Sequence, residues 1–168
     1  MARTDPSVDL REYEPDGDRD GLWQCKAAFE RELGAAGDGE KAAAYAAKLS
    51  EAYRDRYLAW AERCVAREPA CVTVAIAEGD VVGYVFVLPE THAMIWDGAV
   101  LNEIFVDPAY RGGSVADALL DAALDHARSQ ALPMDRMVLD VDAENERARS
   151  LYERHGFTSW GEMVAREL

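Results

Sequence analysis

The middle of the chain carries the clearest pattern of apolar and polar positions. Residues 101–106 (LNEIFV) are apolar except for Asn102 and Glu103, and Asp107-Pro108 follows them, which predicts a strand that ends there. After a short loop, apolar residues recur at helical spacing while aspartates fall on the opposite face, which predicts a helix over 115–127. The apolar face consists of Val115, Ala116, Leu119, Leu120, Ala123, Leu124 and Ala127.

Similar patterns on both sides predict further strands and helices. Short apolar or alternating runs predict strands at 8–13, 71–77, 81–88 and 136–141, with a hairpin turn at 78–80. Helical spacing predicts helices at 19–33 and 146–155, and one long or two shorter helices over 40–67. Residues 34–39 and 89–98 are predicted breaks, and 157–166 a last hairpin or strand pair. This order predicts a single domain over residues 1–168 with a mixed α/β or α+β sheet.

An apolar and aromatic stripe runs along residues 40–67. Its members are Tyr45, Leu49, Tyr53, Tyr57, Trp60 and Cys64. We interpret the stripe mainly as core packing. Tyr53, Tyr57 and Trp60 can also line the mouth of a pocket, and we expect substrate choice to be made in this part of the chain.

The loop before the central helix contains Arg111-Gly112-Gly113-Ser114. Two glycines remove side chains, so that backbone N–H groups can face a ligand. The start of a helix adds unpaired donors and a partial positive charge, a combination that suits a phosphate group. A simple turn would explain the same glycines, and Ser114 with Asp117 would fit an N-terminal capping box.

The charge balance is strongly acidic, with 32 acidic and 18 basic residues and a formal net charge of -14. Such a surface repels phosphate backbones and anionic lipids, so neither nucleic acid nor a membrane is an expected partner. The acidity would favour a cationic substrate such as an amine. Adaptation to high salt is the favoured explanation, because 15 of the 18 basic residues are Arg and the acids are spread along the chain.

The chain has few features of a metal, disulfide or exported protein. Cys25, Cys64 and Cys71 are odd in number and have no CxxC spacing, so we expect buried or half-buried free thiols and no metal. No apolar stretch is long enough to span a bilayer, and the first residues show no apolar signal region. The expected location is therefore the cytoplasm.

Three segments, in order, resemble the GNAT superfamily of acyl-CoA N-acyltransferases. Residues 104–116 (IFVDPAYRGGSVA) are similar to the family's acetyl-CoA loop, an Arg or Gln, two variable residues, Gly, one variable residue, then Gly or Ala. Residues 139–148 (LDVDAENERA) resemble the strand and Asn that contact pantetheine. Residues 151–157 (LYERHGF) resemble the family's Leu-Tyr-x-x-x-Gly-Phe ending. Ser114 stands where the loop's most regular glycine would be.

The resemblance implies a GNAT-like fold, with a central mixed, mostly antiparallel twisted sheet flanked by helices, and acetyl-CoA as cosubstrate. It implies that the backbone of the loop binds the pyrophosphate, with Arg111 adding charge. The residues assigned to this loop are Gly112, Gly113, Ser114, Val115 and Ala116. A positive φ at Ser114 would cost about 1 kcal/mol or more relative to glycine, unless Gly113 takes up the turn.

The resemblance also implies where the remaining parts of the cofactor and the chemistry lie. Pantetheine would pair with the backbone of Ile104, Phe105 and Val106 as an extra strand does, if the sheet splays open there. The Val106 N–H would polarise the thioester oxygen. Asn145 would orient the cofactor arm, although alone it would be interpreted as a turn residue.

Proton transfer requires an acid and a base. Tyr152 matches the tyrosine that lies near the cofactor sulfur in the family and acts as general acid; packing in the core is its alternative. Glu103 is a carboxylate within an apolar strand, and we predict a general base there, acting directly or through water. The alternatives for Glu103 are a solvated strand residue and an ion pair, and Asp97 is a weaker candidate base.

These features predict an N-acetyltransferase that acts on a primary amine by direct attack in a ternary complex. The acceptor would be a small amine or a protein N-terminus or lysine. The alternative is a non-catalytic acyl-CoA-binding sensor of the same fold. A nucleotide-binding domain is disfavoured because neither GxGxxG nor a phosphate-loop lysine is present. A homodimer is an expectation from the family resemblance only.

Overall fold

The computed structural model describes residues 7–37 and 39–168. Its centre is a five-stranded sheet in the order β1-β2-β3-β4-β5, in which only the β4–β5 pair is parallel. The strands are β1 (Asp9–Glu12), β2 (Val72–Ala77), β3 (Asp80–Val87), β4 (Ala99–Val106) and β5 (Met137–Val138). The predicted mixed, mostly antiparallel sheet is therefore confirmed.

Helices cover both faces of this sheet. They are α1 (Pro15–Ala35), α2 (Gly39–Ala47), α3 (Glu51–Arg67), α4 (Val115–Ser129) and α5 (Glu146–Arg154). Side chains alternate along β2 and β3, so each strand contributes to two hydrophobic clusters. One cluster joins α1 and α3 to residues such as Val74 and Phe86, and the other joins α4 and α5 to residues such as Val85 and Leu101.

The helical predictions are confirmed, with a difference at the start of α1. Helix α1 begins at Pro15 rather than Arg19, because proline at the first helical position loses no hydrogen bond there. Residues 40–67 form two helices, which is one of the two possibilities open from the sequence. Ser50 caps the second of them, because its hydroxyl accepts a hydrogen bond from the Tyr53 N–H at 3.2 Å. Residues 89–98, expected to be a loop, include a 3₁₀ helix at Glu90–Ile95.

The prediction of a last strand pair at 157–166 is wrong. These residues belong to no strand, and every residue from 158 onward is exposed. A strand needs a hydrogen-bonding neighbour, and β5, the edge strand of the described sheet, is only two residues long. The apolar side chains of Trp160, Met163 and Val164 consequently face solvent.

Two simpler expectations concern cysteines and membrane spans. Cys25, Cys64 and Cys71 are all free and buried, as predicted. Burial raises the pKa of the Cys25 thiol to about 12. Within residues 7–37 and 39–168, no helix combines the length and the apolar character needed to cross a bilayer.

Candidate active site

A cleft opens where β4 and β5 separate. The two strands pair only at Ala99–Met137 and Val100–Val138, so this edge of β4 has no described strand beside it from Leu101 onward. The cleft has a volume of about 2990 Å³. Pockets for drug-sized ligands measure roughly 300–1,000 Å³, so this cleft has room for a long cofactor and a second substrate.

A β-bulge in β4 changes which backbone groups face the cleft. Phe86 pairs with Glu103, whereas Val87 pairs with Leu101, so Asn102 is the extra residue on β4. One extra residue reverses the direction in which all later N–H and C=O groups of the strand point.

The backbone groups of Ile104 and Val106 point into the cleft as a result. The N–H of Asp107 donates to the Val82 carbonyl on β3 at 2.8 Å. Neighbouring residues in a strand present their N–H and C=O groups to opposite edges, so those of Val106 point away from β3. Arg111 Nε donates to the Val106 carbonyl from that side at 2.7 Å. The N–H groups of Ile104 and Val106 are thus available along the cleft.

The loop before α4 places its only left-handed residue at Gly112. Gly112 has a φ of +83°, whereas Ser114 has a φ of −94°, which any residue adopts. Neither Ser114 nor Gly113 takes the left-handed conformation considered from the sequence, and the serine is accommodated without backbone strain.

The capping box, which was the alternative explanation for Ser114 and Asp117, is absent at the start of α4. The Ser114 side chain makes no capping hydrogen bond, and Asp117 instead accepts a hydrogen bond from Arg154 at 2.9 Å. The first N–H groups of a helix have no partner within the helix. Those of α4 therefore keep their hydrogen-bonding capacity for a ligand.

Arg111 connects the loop to two other elements. Its Nη2 donates to Glu32 on α1 at 2.6 Å, and its guanidinium lies 5.4 Å from the centre of the Phe105 ring. Together with the bond to the Val106 carbonyl, these contacts hold the loop against β4 and α1.

Glu103 is part of a buried ion-pair cluster. Its side chain is 3% exposed, and its carboxylate contacts the Lys26 ammonium and accepts a hydrogen bond from the Tyr57 hydroxyl at 2.8 Å. Lys26 also contacts Glu30, which Lys48 contacts at 3.2 Å. Of the possibilities open from the sequence, the solvated strand residue is excluded and the ion pair is observed. Glu103 still lines the cleft.

The cluster raises the pKa of two of its members, Lys26 and Tyr57. Burial disfavours the charge of Lys26, but the carboxylates of Glu103 and Glu30 outweigh it and raise the pKa of Lys26. Burial, followed by the charge of Glu103, raises the pKa of Tyr57 well above its ordinary value. Lys26 is therefore an ammonium and Tyr57 a neutral phenol at physiological pH.

Tyr152 lies on α5 and lines the cleft. Its ring packs against Phe157 with a centroid distance of 5.7 Å, and the residue is 7% exposed. Burial raises the pKa of Tyr152 to about 12. The phenol is therefore protonated at physiological pH, which is the state a proton donor needs.

Asn145 and Asp97 occupy different surroundings. Asn145 caps α5, because its side-chain oxygen accepts a hydrogen bond from the Ala148 N–H at 3.1 Å, and it also lines the cleft. Asp97 has a φ of +58° and is exposed, but it does not line the cleft.

The cleft brings together most residues predicted from the sequence. Those that line it are Glu103, Ile104, Phe105, Val106, Arg111, Gly112, Gly113, Ala116, Asn145 and Tyr152. Ser114 and Val115 do not line it. The aromatic residues Tyr53, Tyr57 and Trp60 pack in or against the core and also line the cleft. Their part in substrate choice stays a prediction.

Sequence reasoning missed the role of Lys26, Glu30 and Lys48. Lys26 is separated from Glu103 by 77 positions, so no local pattern joins them. The sequence does contain a weak indication that Lys26 is buried, because it falls on the same helical face as the apolar Leu22. A charged residue in that position is compatible with burial only if it is paired.

The described part of the chain contains no group of three or more His, Cys, Asp or Glu residues that could hold a metal ion.

A model of the acetyltransferase (GNAT) family matches residues 26–157. The chain belongs to the GNAT family. The match includes the bulged strand, the glycine loop and Tyr152, and it confirms the resemblance found in the three sequence segments. GNAT-family enzymes use acetyl-CoA, which agrees with the predicted cosubstrate.

Individual relatives agree with the family assignment. A mycothiol acetyltransferase from Thermobispora bispora is 38% identical over 96 residues, which is 55% of this chain and 32% of that protein. The chain thus spans about a third of the length of that relative.

Solved structures show that this GNAT chain has the family fold. The PaiA N-acetyltransferase of Thermoplasma acidophilum, in complex with coenzyme A, has a TM-score of 0.70 at 17% identity and covers 90% of each chain. An aminoglycoside N-acetyltransferase in complex with CoA has a TM-score of 0.65 at 16% identity and covers 100% of this chain and 99% of its own.

Proposed function

We propose that the chain is an N-acetyltransferase that transfers the acetyl group of acetyl-CoA to a primary amine by direct attack in a ternary complex. The observation that carries the proposal is the juxtaposition of three features in one cleft. They are the free N–H groups of Ile104 and Val106, the glycine loop before α4, and the protonated Tyr152.

The cofactor would bind mainly through backbone groups. Its pyrophosphate would lie at the N–H groups of Gly112 to Ala116, where the helix start favours negative charge. Its pantetheine amides would pair with Ile104 and Val106 in the place of a missing strand. Asn145 caps α5 through its oxygen, which leaves its amide N–H groups to contact the same arm.

The Val106 N–H and Tyr152 would assist the bond changes. The amine nitrogen attacks the thioester carbon, and the Val106 N–H stabilises the negative charge on the oxygen. The carbon–sulfur bond then breaks, and Tyr152 donates its proton to the departing thiolate. The elevated pKa of Tyr152 keeps that proton in place until the thiolate forms.

The attacking amine must lose a proton, and Glu103 is the only ionisable side chain on β4. Lys26 and Tyr57 contact one carboxylate oxygen each, but each oxygen has further lone pairs. We propose that the amine proton reaches Glu103 through water, while Lys26 and Tyr57 hold the carboxylate in place.

The alternative, a non-catalytic acyl-CoA sensor, was suggested by Ser114. A serine that impaired cofactor binding would have favoured a protein without turnover. The φ of −94° at Ser114 shows that the loop does not need glycine there, so this argument for a sensor no longer applies. The acceptor belongs among small amines, protein N-termini and lysines. Relatives named for mycothiol and aminoglycoside acetylation are compatible with a small amine.

Steady-state release of CoA, measured over a panel of primary amines, tests the proposal. We expect turnover with at least one amine and formation of its N-acetyl derivative, identified by mass spectrometry. Tight acetyl-CoA binding without turnover on any amine would instead support the sensor.

A further inference from the structure

The cleft has two ends with different charges. The cofactor end is the part next to α4 and α5. The acceptor end is the part formed by α3, α1 and the first residues of β4 and β5. Tyr57 links α3 to β4 through its bond to Glu103, and Trp60 packs on Phe86, 4.9 Å between ring centroids. Arg136 joins this end because its carbonyl accepts a hydrogen bond from the Ala99 N–H at 2.9 Å.

The buried carboxylates of the acceptor end are already neutralised by the protein. Glu103 and Glu30 both contact Lys26, and Glu30 also contacts Lys48. A substrate ammonium would have to displace a lysine from its carboxylate partners. These carboxylates are therefore unsuited to selecting a polycation, despite the net charge of -14 on the whole chain.

Three arginines at the acceptor end have no acidic partner. Arg56, Arg63 and Arg136 line the cleft, and none of them has a carboxylate within 4 Å among residues 7–37 and 39–168. Two lining carboxylates of the acceptor end, Asp55 and Glu162, also have no basic partner among the described residues, so at this end three unpaired arginines face two unpaired carboxylates. The remaining lining carboxylates without such a partner, Asp140, Glu144 and Glu146, belong to the segment that follows β5 and leads into α5.

The cofactor end behaves differently. Its lining arginines are Arg111, Arg147, Arg149 and Arg154, and each of them has a carboxylate partner. The lack of carboxylate partners is therefore confined to the arginines of the acceptor end and is not shared by the other arginines that line the cleft.

The three unpaired arginines are exposed and belong to two parts of the cleft lining, α3 and the start of β5. Arg56, Trp60 and Arg63 are spaced by four and three residues, which places them on one face of α3. The Arg136 guanidinium lies 4.0 Å from the Trp160 ring centre. Stacking on a ring orients a guanidinium while leaving its N–H edge free for carboxylate or phosphate oxygens.

We infer that the acceptor is a small primary amine that also carries a carboxylate or phosphate group, and that Arg56, Arg63 and Arg136 bind this anionic group. The inference rests on the proposed function and specifies its substrate class. It replaces the expectation of a cationic acceptor, which considered only the charge of the whole chain.

Matched pairs of acceptors test the charge preference. β-Alanine is compared with β-alaninamide, O-phosphoethanolamine with ethanolamine, and spermidine represents polycations. We expect kcat/KM at least about tenfold higher for the anionic member of one pair, since hydrogen bonds to charged groups are worth this much. The pair that shows the effect distinguishes carboxylate from phosphate. If neither pair favours its anionic member, or if spermidine is the best acceptor, the inference is overturned while the acetyltransferase proposal stays intact.

Variants locate the effect at the arginines. In Arg63→Gln and Arg136→Gln we expect KM for the anionic acceptor to rise about tenfold, with KM for acetyl-CoA changed less than twofold. Arg67→Gln is the matched control, because Arg67 lies one turn beyond Arg63 on α3 and does not line the cleft. An unchanged KM in both variants, or an equal rise in Arg67→Gln, would contradict the inference.

A binding experiment separates the two proposals if no amine is acetylated. That result would refute the proposed function. The CoA-loaded protein is then titrated calorimetrically with β-alanine and O-phosphoethanolamine. Binding that is lost in Arg63→Gln would support the anion site, and the absence of binding would overturn it.

Discussion

The two ends of the cleft differ in the kind of group that forms them. The cofactor end presents backbone N–H groups from β4 and from the start of α4, held in place by the fold. The acceptor end presents charged side chains, several of them buried and mutually paired. Backbone N–H groups are present whatever the side chain is. Ser114 is therefore tolerated as long as its backbone is unstrained, which its φ of −94° satisfies. A buried charge, by contrast, depends on the identity of its partner.

The largest effect is expected at the acceptor end. Lys26→Met leaves Glu103 and Glu30 without their common cation, and breaking a buried ion pair costs about 3–5 kcal/mol. We expect the free energy of unfolding, measured by urea denaturation, to fall by that amount. Arg128→Gln is the control, because it breaks an exposed pair with Asp125, worth at most about 1 kcal/mol. A loss below 1 kcal/mol in Lys26→Met would contradict the buried cluster.

The second effect concerns catalysis at the cofactor end. Tyr152→Phe removes the proposed proton donor, so kcat should fall about 100-fold, while the Kd for acetyl-CoA changes less than threefold. Tyr110→Phe also removes a hydroxyl from the cleft lining and should leave kcat unchanged. Equal loss in both variants, or none in Tyr152→Phe, would remove Tyr152 from the chemistry.

The pH profile gives a sharper test of Tyr152. A proton donor is active below its pKa and is lost as the pH rises through it. Because burial raises the pKa of Tyr152 to about 12, kcat should show no alkaline loss between pH 8 and about 10. A fall in kcat over that interval that is absent from Tyr152→Phe would show that the phenol ionises earlier.

The backbone site can be perturbed through its glycine conformation. Gly112→Ala forces an L-residue to a φ of +83°, which costs about 1–2 kcal/mol. The Kd for acetyl-CoA should therefore rise about tenfold. Gly113→Ala is the matched control, because a Cβ there meets no atom within 4 Å and the φ is not positive. Equal losses in both variants would mean that loop flexibility, rather than the turn at Gly112, is limiting.

The smallest effect is expected at the position that departs from the family pattern. Ser114→Gly should change the Kd for acetyl-CoA less than twofold, because the φ of −94° favours neither residue strongly. A tenfold gain in affinity would show that serine impairs the loop after all.

The sequence predicted the cofactor end more fully than the acceptor end, for a physical reason. Residues 104–116 form a continuous strand, loop and helix start, so local spacing reveals their arrangement. The contact between Lys26 and Glu103 depends on how α1 packs on β4, which no local pattern encodes. The same limit explains the error at 157–166, where alternating residues predicted strands although no described strand pairs with them.

Several expectations from the sequence remain predictions, among them the single domain over residues 1–168, the absence of nucleic-acid and membrane partners, and salt adaptation as the origin of the acidity. A cytoplasmic location is another. The homodimer also remains a prediction, which light scattering over a range of protein and salt concentrations would test.

The central claim is that backbone N–H groups of β4 and α4 bind acetyl-CoA, while the acceptor end serves a different ligand. Two-dimensional amide NMR spectra, recorded during titration with acetyl-CoA, test it most directly. The account predicts the largest shifts at the amides of Ile104, Val106, Val115 and Ala116, with Arg56 and Arg63 nearly unchanged. Shifts concentrated at Arg56 and Arg63, with the first four amides unaffected, would contradict it.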